Sequence, residues 1–188
     1  MLIDQIRNTS NSQHKHLEAI LFPVLSAINN DQEYKKLLKA FYGYVQPVQD
    51  LIMMHINKEV VPDMDERRNA GLLLDDLRTL GDQTIPEHCE NLPEIVDGPS
   101  ALGALYVLEG STLGGKIITK MLAEQLGSDS ALSFFKGYGP ETGKKWKDFT
   151  RYLEDERNSP FAETIVQTAS QTFALFGTWL EKKLVNHS

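Results

Sequence analysis

The chain has 188 residues, 41% of them apolar and 24% charged, enough for one substantial core and ordinary for a soluble globular domain. Its net charge of −7 argues against general nucleic-acid binding, because no basic face dominates. One cysteine, Cys89, excludes a disulfide framework and a thiolate metal cluster within one chain.

The first segment, Met1-Leu-Ile-Asp-Gln-Ile-Arg7, lacks the continuous apolar stretch of a signal peptide. No run reaches the roughly 18 apolar residues that read as a membrane span. The expectation is a cytoplasmic chain folded as one domain over residues 1–188. Ile3, Ile6, Leu17, Leu21 and Val24 recur at helical spacing and predict a helix over about 2–21, with Pro23 as the break. Asn29-Asn30-Asp31 supplies the start of a second helix, which Pro47 kinks and which runs to about Asn57. Asp65 opens a third helix, closed by Gly81. Residues 81–99 are rich in Gly, Pro and Asn and read as a loop with at most one helical turn. A long helix fills about 100–126 and ends at Gly127. A short helix over 130–135, a turn at 136–140, and two helices over about 141–157 and 160–184 complete the chain. No segment alternates with period two, so the fold class is all-α, a single irregular helical bundle.

Three constellations carry chemistry. The first is His14, on the flank of the apolar face of the first helix, with Arg7 and Glu18 on the same flank. Its ordinary explanation is a histidine at the core's edge, hydrogen-bonded to a neighbour. The sharper one is an axial metal ligand whose second ring nitrogen is held by Glu18, directly or through water. His16 points about 200° away from His14 around the helix, so the two cannot share an ion. The second constellation is the run of Gly103, Gly110, Gly114 and Gly115 in the long helix. Each interior glycine costs a helix about 1 kcal/mol relative to alanine. Gly110, Ser111, Gly114 and Gly115 make one strip almost without side chains, suited to close helix packing or to a flat ligand. The third is Gly143 to Arg151, where Lys144, Lys147 and Arg151 share one face and Trp146 and Phe149 the other. That face is either a solvated surface or a stripe for carboxylates. Together the three describe a flat, apolar ligand with an acidic edge. Haem has that shape and charge, and the absence of a Cys-x-x-Cys-His sequence implies noncovalent binding.

The chain resembles the haem oxygenase family. Ile6-Arg7-x-x-Ser10-x-x-x-His14-x-x-Leu17-Glu18 is similar to the family's first helix, and Leu108-Glu-Gly-Ser-Thr-Leu-Gly-Gly-Lys-Ile117 to its kinked distal helix. The wording of the distal stretch is closest to a bacterial branch found beside bacterial phytochromes. The resemblance implies the haem oxygenase fold and conversion of haem to biliverdin, carbon monoxide and ferrous iron. Haem would be substrate and oxygen-activating cofactor, no other metal is implied, and a reductase or ferredoxin would supply electrons. A phytochrome is an implied user of the bilin. His14 would ligate the haem iron with Glu18 beside it. Gly110, Gly114 and Gly115 would admit the macrocycle and crowd dioxygen toward one meso carbon. Arg7, Lys147 and Arg151 match positions that hold the propionates. One departure stands out. Many members carry an aspartate after the first glycine of the distal motif, and here that residue is Ser111. The second reading is therefore a noncatalytic haem carrier or sensor on the same fold. A carboxylate-bridged di-iron centre lacks its Glu-x-x-His motifs, and Cys89 between acidic neighbours makes a poor nucleophile. His55 and His88 have no assigned role.

Overall fold

The computed structural model describes residues 1–186, whose regular structure is helical without any strand among them. Eight α-helices follow in chain order: α1 Leu2–Ala27, α2 Asp31–His55, α3 Gly71–Thr79, α4 Gly98–Gly110, α5 Gly115–Leu126, α6 Ser133–Lys136, α7 Thr142–Leu153 and α8 Ala162–Leu180. Helix α8 packs most extensively on α1 and α4, and α2 packs beside α4.

Several boundaries differ from the sequence expectation. Helix α1 continues through Pro23 to Ala27. Leu25 and Ile28 beyond the proline are buried, and burying two such side chains is worth about 3–6 kcal/mol. That outweighs the roughly 3 kcal/mol for a proline in a helix interior. The third helix starts at Gly71 rather than Asp65. Only Met64–Glu66 forms a 3₁₀ turn, and Arg67 leaves it in extended geometry. The long helix is split: α4 ends at Gly110, Ser111–Gly114 is a 3₁₀ turn, and α5 begins at Gly115. Helix α4 starts from a capping box in which the Asp97 carboxylate accepts from Ser100 N–H at 2.8 Å.

Polar groups inside the bundle are tied to backbone. Tyr34 and Tyr44 of α2 donate to the carbonyls of Ala131 and Thr172 at 2.7 and 2.8 Å, and Trp179 donates to Ala40 O at 2.7 Å. Helix α4 crosses α8 at Gly103, where any Cβ would run into the carbonyl of Ile165. Two helices receive their caps from distant carboxylates. Glu154, just past α7, accepts from Leu2 N–H and Ile3 N–H at 3.0 and 2.8 Å and so anchors the start of α1. Asp76 of α3, 1% exposed, accepts from Ser133 N–H and Phe134 N–H at 2.9 and 3.0 Å and starts α6.

Asp76→Ala leaves both of those donors orphaned in the core. The expected loss is about 2–4 kcal/mol, and thermal unfolding should shift down by about 5–10 °C. A midpoint unmoved in this variant would show that α6 does not need the cap.

Candidate functional site

Helix α1 and the α4–α5 segment enclose a cavity of about 730 Å³. Its inner wall is aromatic, with Phe41, Phe134, Phe135, Phe173 and Phe176 among the lining residues. Arg7, His14, Glu18, Gly110, Ser111 and Gly114 all line this one space, brought together from two helices about a hundred residues apart in sequence. Gly115, Lys147 and Arg151 do not.

The imidazole of His14 is held from two sides. Its Nδ1 lies 3.6 Å from Glu18 Oε2, one helical turn on, which is beyond hydrogen-bond length yet close enough to orient the ring electrostatically. The Phe173 ring meets it edge-on, with centroids 5.2 Å apart and planes at 87°. With Nδ1 turned to the carboxylate, Nε2 is the nitrogen left to take a ligand. Arg7 and Tyr106 line the same cavity. Burial pushes the Tyr106 phenol up, and the nearby Arg7 only partly offsets it.

The opposite wall is the break between α4 and α5. When an α-helix tightens into 3₁₀, its last carbonyls lose their regular partners. Here side chains supply them. Leu108 O accepts from the Ser111 hydroxyl at 2.7 Å and from Arg68 Nη2 at 2.7 Å, and Glu109 O accepts from the Thr112 hydroxyl at 2.6 Å. Arg68 also donates to Ser111 Oγ and stacks its guanidinium 4.1 Å from the Phe134 ring centroid. The glycines divide. A Cβ on Gly110 would make ordinary contact with Trp146 at 3.6 Å, and one on Gly114 would meet nothing within 4 Å. Gly115 differs from the expectation: it packs toward α6, where a Cβ would collide with Phe135 O, so its missing side chain serves helix packing.

Behind that wall sits a buried ion cluster. Glu109 is 2% exposed and Arg67 4%. Arg67 Nη1 donates to Glu109 Oε2 at 2.5 Å, and Arg67 Nε to Asp63 Oδ1 at 3.0 Å. Tyr138 accepts from Arg68 N–H at 2.7 Å and donates to Glu109 Oε1 at 2.8 Å. Burial, then the Glu109 charge, raises the Tyr138 pKa far above its usual value and keeps it a donor. Lys145 of α7 bridges Asp63 and Glu66 at 2.9 Å each. Burial raises the Asp63 carboxyl, but Lys145 and Arg67 outweigh it, so its pKa sits below the usual range.

Helix α7 therefore uses its two faces differently. Lys145 goes inward and Trp146 reaches the cavity, while Lys144, Lys147 and Arg151 stay on the exposed face. Arg151 pairs with Asp148 at 3.0 Å. Neither Lys144 nor Lys147 has a carboxylate within 4.0 Å among the described residues. Arg67, Arg68 and Tyr138 escaped the sequence reading. Apart from Asp63, four residues before Arg67, their side-chain partners lie 29 to 70 residues away, and the only local sign is two adjacent arginines where a helix start is expected.

A family model described as heme oxygenase matches residues 78–182. A heme oxygenase of Xanthomonas campestris pv. campestris is 35% identical over 119 residues, covering 61% of this chain and 68% of that protein. The heme oxygenase PigA of Pseudomonas aeruginosa is 26% identical over 183 residues, covering 92% and 88%. The crystal structure of the NO- and CO-bound heme oxygenase from Neisseria meningitidis superposes with a TM-score of 0.81 over all of this chain and 95% of that one, at 21% identity. This last likeness establishes the shared fold.

Two expectations follow from the wall and the cluster behind it. Gly115→Ala should cost about 1–3 kcal/mol by overpacking, while Gly114→Ala should leave thermal stability unchanged or slightly higher; equal stabilities would refute the division of the glycines. The second concerns acid. Because the folded pKa of Asp63 is depressed, its contribution is complete above its unfolded value of about 3.9 and is lost as pH falls through the folded value. Asp63→Asn should be less stable at neutral pH and should lose less stability than the parent chain as pH falls below about 4, as read by denaturant unfolding at each pH.

Proposed function

The chain belongs to the haem oxygenase family, and we propose how its own residues carry out the family's reaction, the oxidative cleavage of haem to biliverdin, carbon monoxide and ferrous iron. The observation that carries the residue assignment is the single cavity with His14 on one wall and Gly110, Ser111 and Gly114 on the other. Its volume falls within the range of cofactor pockets. One imidazole facing apolar and aromatic walls suits a metal that arrives with its other ligands in a flat ring. The residues present fit haem.

Bound haem supplies the iron at which dioxygen is activated and the ring that is opened. His14 would hold the iron through Nε2, with Glu18 fixing the ring and its tautomer. The bare backbone at Gly110 and Gly114 would leave room for the macrocycle at the distal wall. Phe134, Phe135 and Phe176 exclude water from the inner edge. Arg7, which lines the cavity, and the exposed cations Lys147 and Arg151 are assigned to the propionates; Arg151 would exchange its pairing with Asp148 for one of them. Ser111 accepts from Arg68 and donates to Leu108 O, so the distal position is a serine–arginine pair, able to order a water that delivers protons. The carrier reading rests on Ser111 standing where many members carry an aspartate; the pairing of Ser111 with Arg68 supports turnover instead. Electrons come from an external reductase or ferredoxin in this proposal, and the resemblance of the Leu108–Ile117 stretch points to a phytochrome as user of the bilin.

Hemin titration should saturate at one haem per chain, and a reductant with dioxygen should convert the complex to a bilin identifiable by its absorption and mass. Haem that survives a competent reductase would overturn the catalytic assignment. His14→Ala should lose the axial ligand, seen as a changed haem spectrum; an unchanged spectrum would remove His14 from the iron.

A further inference from the structure

The two adjacent arginines differ in one respect that the haem reading does not use. Arg67 has its charge answered by Glu109 and Asp63. Arg68 has no carboxylate within 4.0 Å among the described residues, although it is half-buried and lines the cavity. Its protein acceptors are Leu108 O at 2.7 Å, Phe134 O at 3.4 Å and Ser111 Oγ. Two of these take both Nη2 protons and one takes an Nη1 proton. A guanidinium carries five N–H donors, so Nε–H and the second Nη1–H have no protein acceptor among the described residues. Glu109 acts on it only from a distance, being bonded already to Arg67 and Tyr138. Burial pushes the Arg68 pKa down to about 10, and the Glu109 charge pulls against it, so the group remains a cation at neutral pH.

A cation with spare donors, backed by an aromatic ring and facing an apolar cavity, attracts an anion more strongly than it would in water. The position is on the wall opposite His14. We propose that Arg68 makes this wall an anion subsite, which holds a small monoanion of the azide or fluoride class on the open face of the haem iron. The inference rests on the haem reading given above. It assigns the guanidinium a job distinct from holding the helix break: it selects charged over neutral ligands at the sixth position. A propionate is the other anion the guanidinium could meet, and the two sources part in the measurement.

The test uses the full chain loaded with ferric hemin, titrated with azide and with fluoride and followed by the haem spectrum. Carbon monoxide binding to the ferrous complex serves as the uncharged control. Arg68→Gln keeps a donor for Leu108 O but removes the charge, and should weaken azide and fluoride binding about tenfold or more while leaving carbon monoxide affinity within about twofold. Arg68→Lys keeps the charge and should fall between. Ser111→Ala, at an exposed position, frees one more guanidinium donor and should bind azide as well as the parent chain or better. That variant decides the matter if the Arg68 variants do not fold. The proposal is overturned if Arg68→Gln retains the parent azide affinity, if it loses azide and carbon monoxide alike, or if Ser111→Ala alone loses azide. A variant that weakens only hemin binding would assign Arg68 to a propionate and overturn it too. A parent chain that forms no hemin complex would instead overturn the haem reading on which the proposal stands.

Discussion

The buried pair of Arg67 and Glu109 is the interaction on which the site's geometry depends. Glu109 sits two residues before the α4 helix gives way to 3₁₀ geometry, in a segment otherwise lined by apolar side chains. Burying a carboxylate costs several kcal/mol unless it is paired and its remaining lone pairs are satisfied. Arg67 and Tyr138 meet both demands. Because Arg67 is extended and Arg68 follows it directly, fixing the first delivers the second to Leu108 O and Ser111 on the cavity side. One backbone segment thus grips the helix break from behind and from the front. The price of the buried charges is matched by a defined place for the kink, a trade attested for other buried polar groups.

The same cluster explains how α7 is aimed. Lys145 is drawn inward by Asp63 and Glu66. Burial works against its charge, yet the two carboxylates hold its pKa above the usual lysine value. With that side chain committed, Trp146 falls against the cavity beside Gly110 and the remaining cations fall on the outside. At its far end α7 is followed at once by Glu154, whose carboxylate holds the first amides of α1. The two walls of the cavity are therefore connected twice through α7, once by an ion cluster and once by a helix cap.

Much of this was legible in the sequence because it is periodic or local. The amphipathic face of α1 placed His14, Arg7 and Glu18 on one flank, and the glycine-rich run marked the wall opposite. The α-helical class followed from the missing period-two pattern. What escaped the sequence is what depends on distant partners. The continuation of α1 past Pro23 is decided by burial of Leu25 and Ile28, which no local rule weighs against a proline. The shortened third helix is decided by arginines recruited elsewhere. Regular helical spacing groups Gly115 with Gly114 on the ligand wall, whereas the 3₁₀ turn between Ser111 and Gly114 changes the angle per residue and turns Gly115 toward α6.

The division among the glycines has a consequence for how such a chain drifts. Gly103 and Gly115 stand against the backbone carbonyls of Ile165 and Phe135, so no side chain fits there, whether or not a ligand is ever bound. Gly110 and Gly114 meet only a flexible ring edge or open space, so nothing in the fold alone forbids alanine or serine at either. A descendant that kept the bundle but abandoned its ligand would retain the first pair and let the second vary. The four positions together form an internal record from which selection for shape and selection for chemistry can be separated.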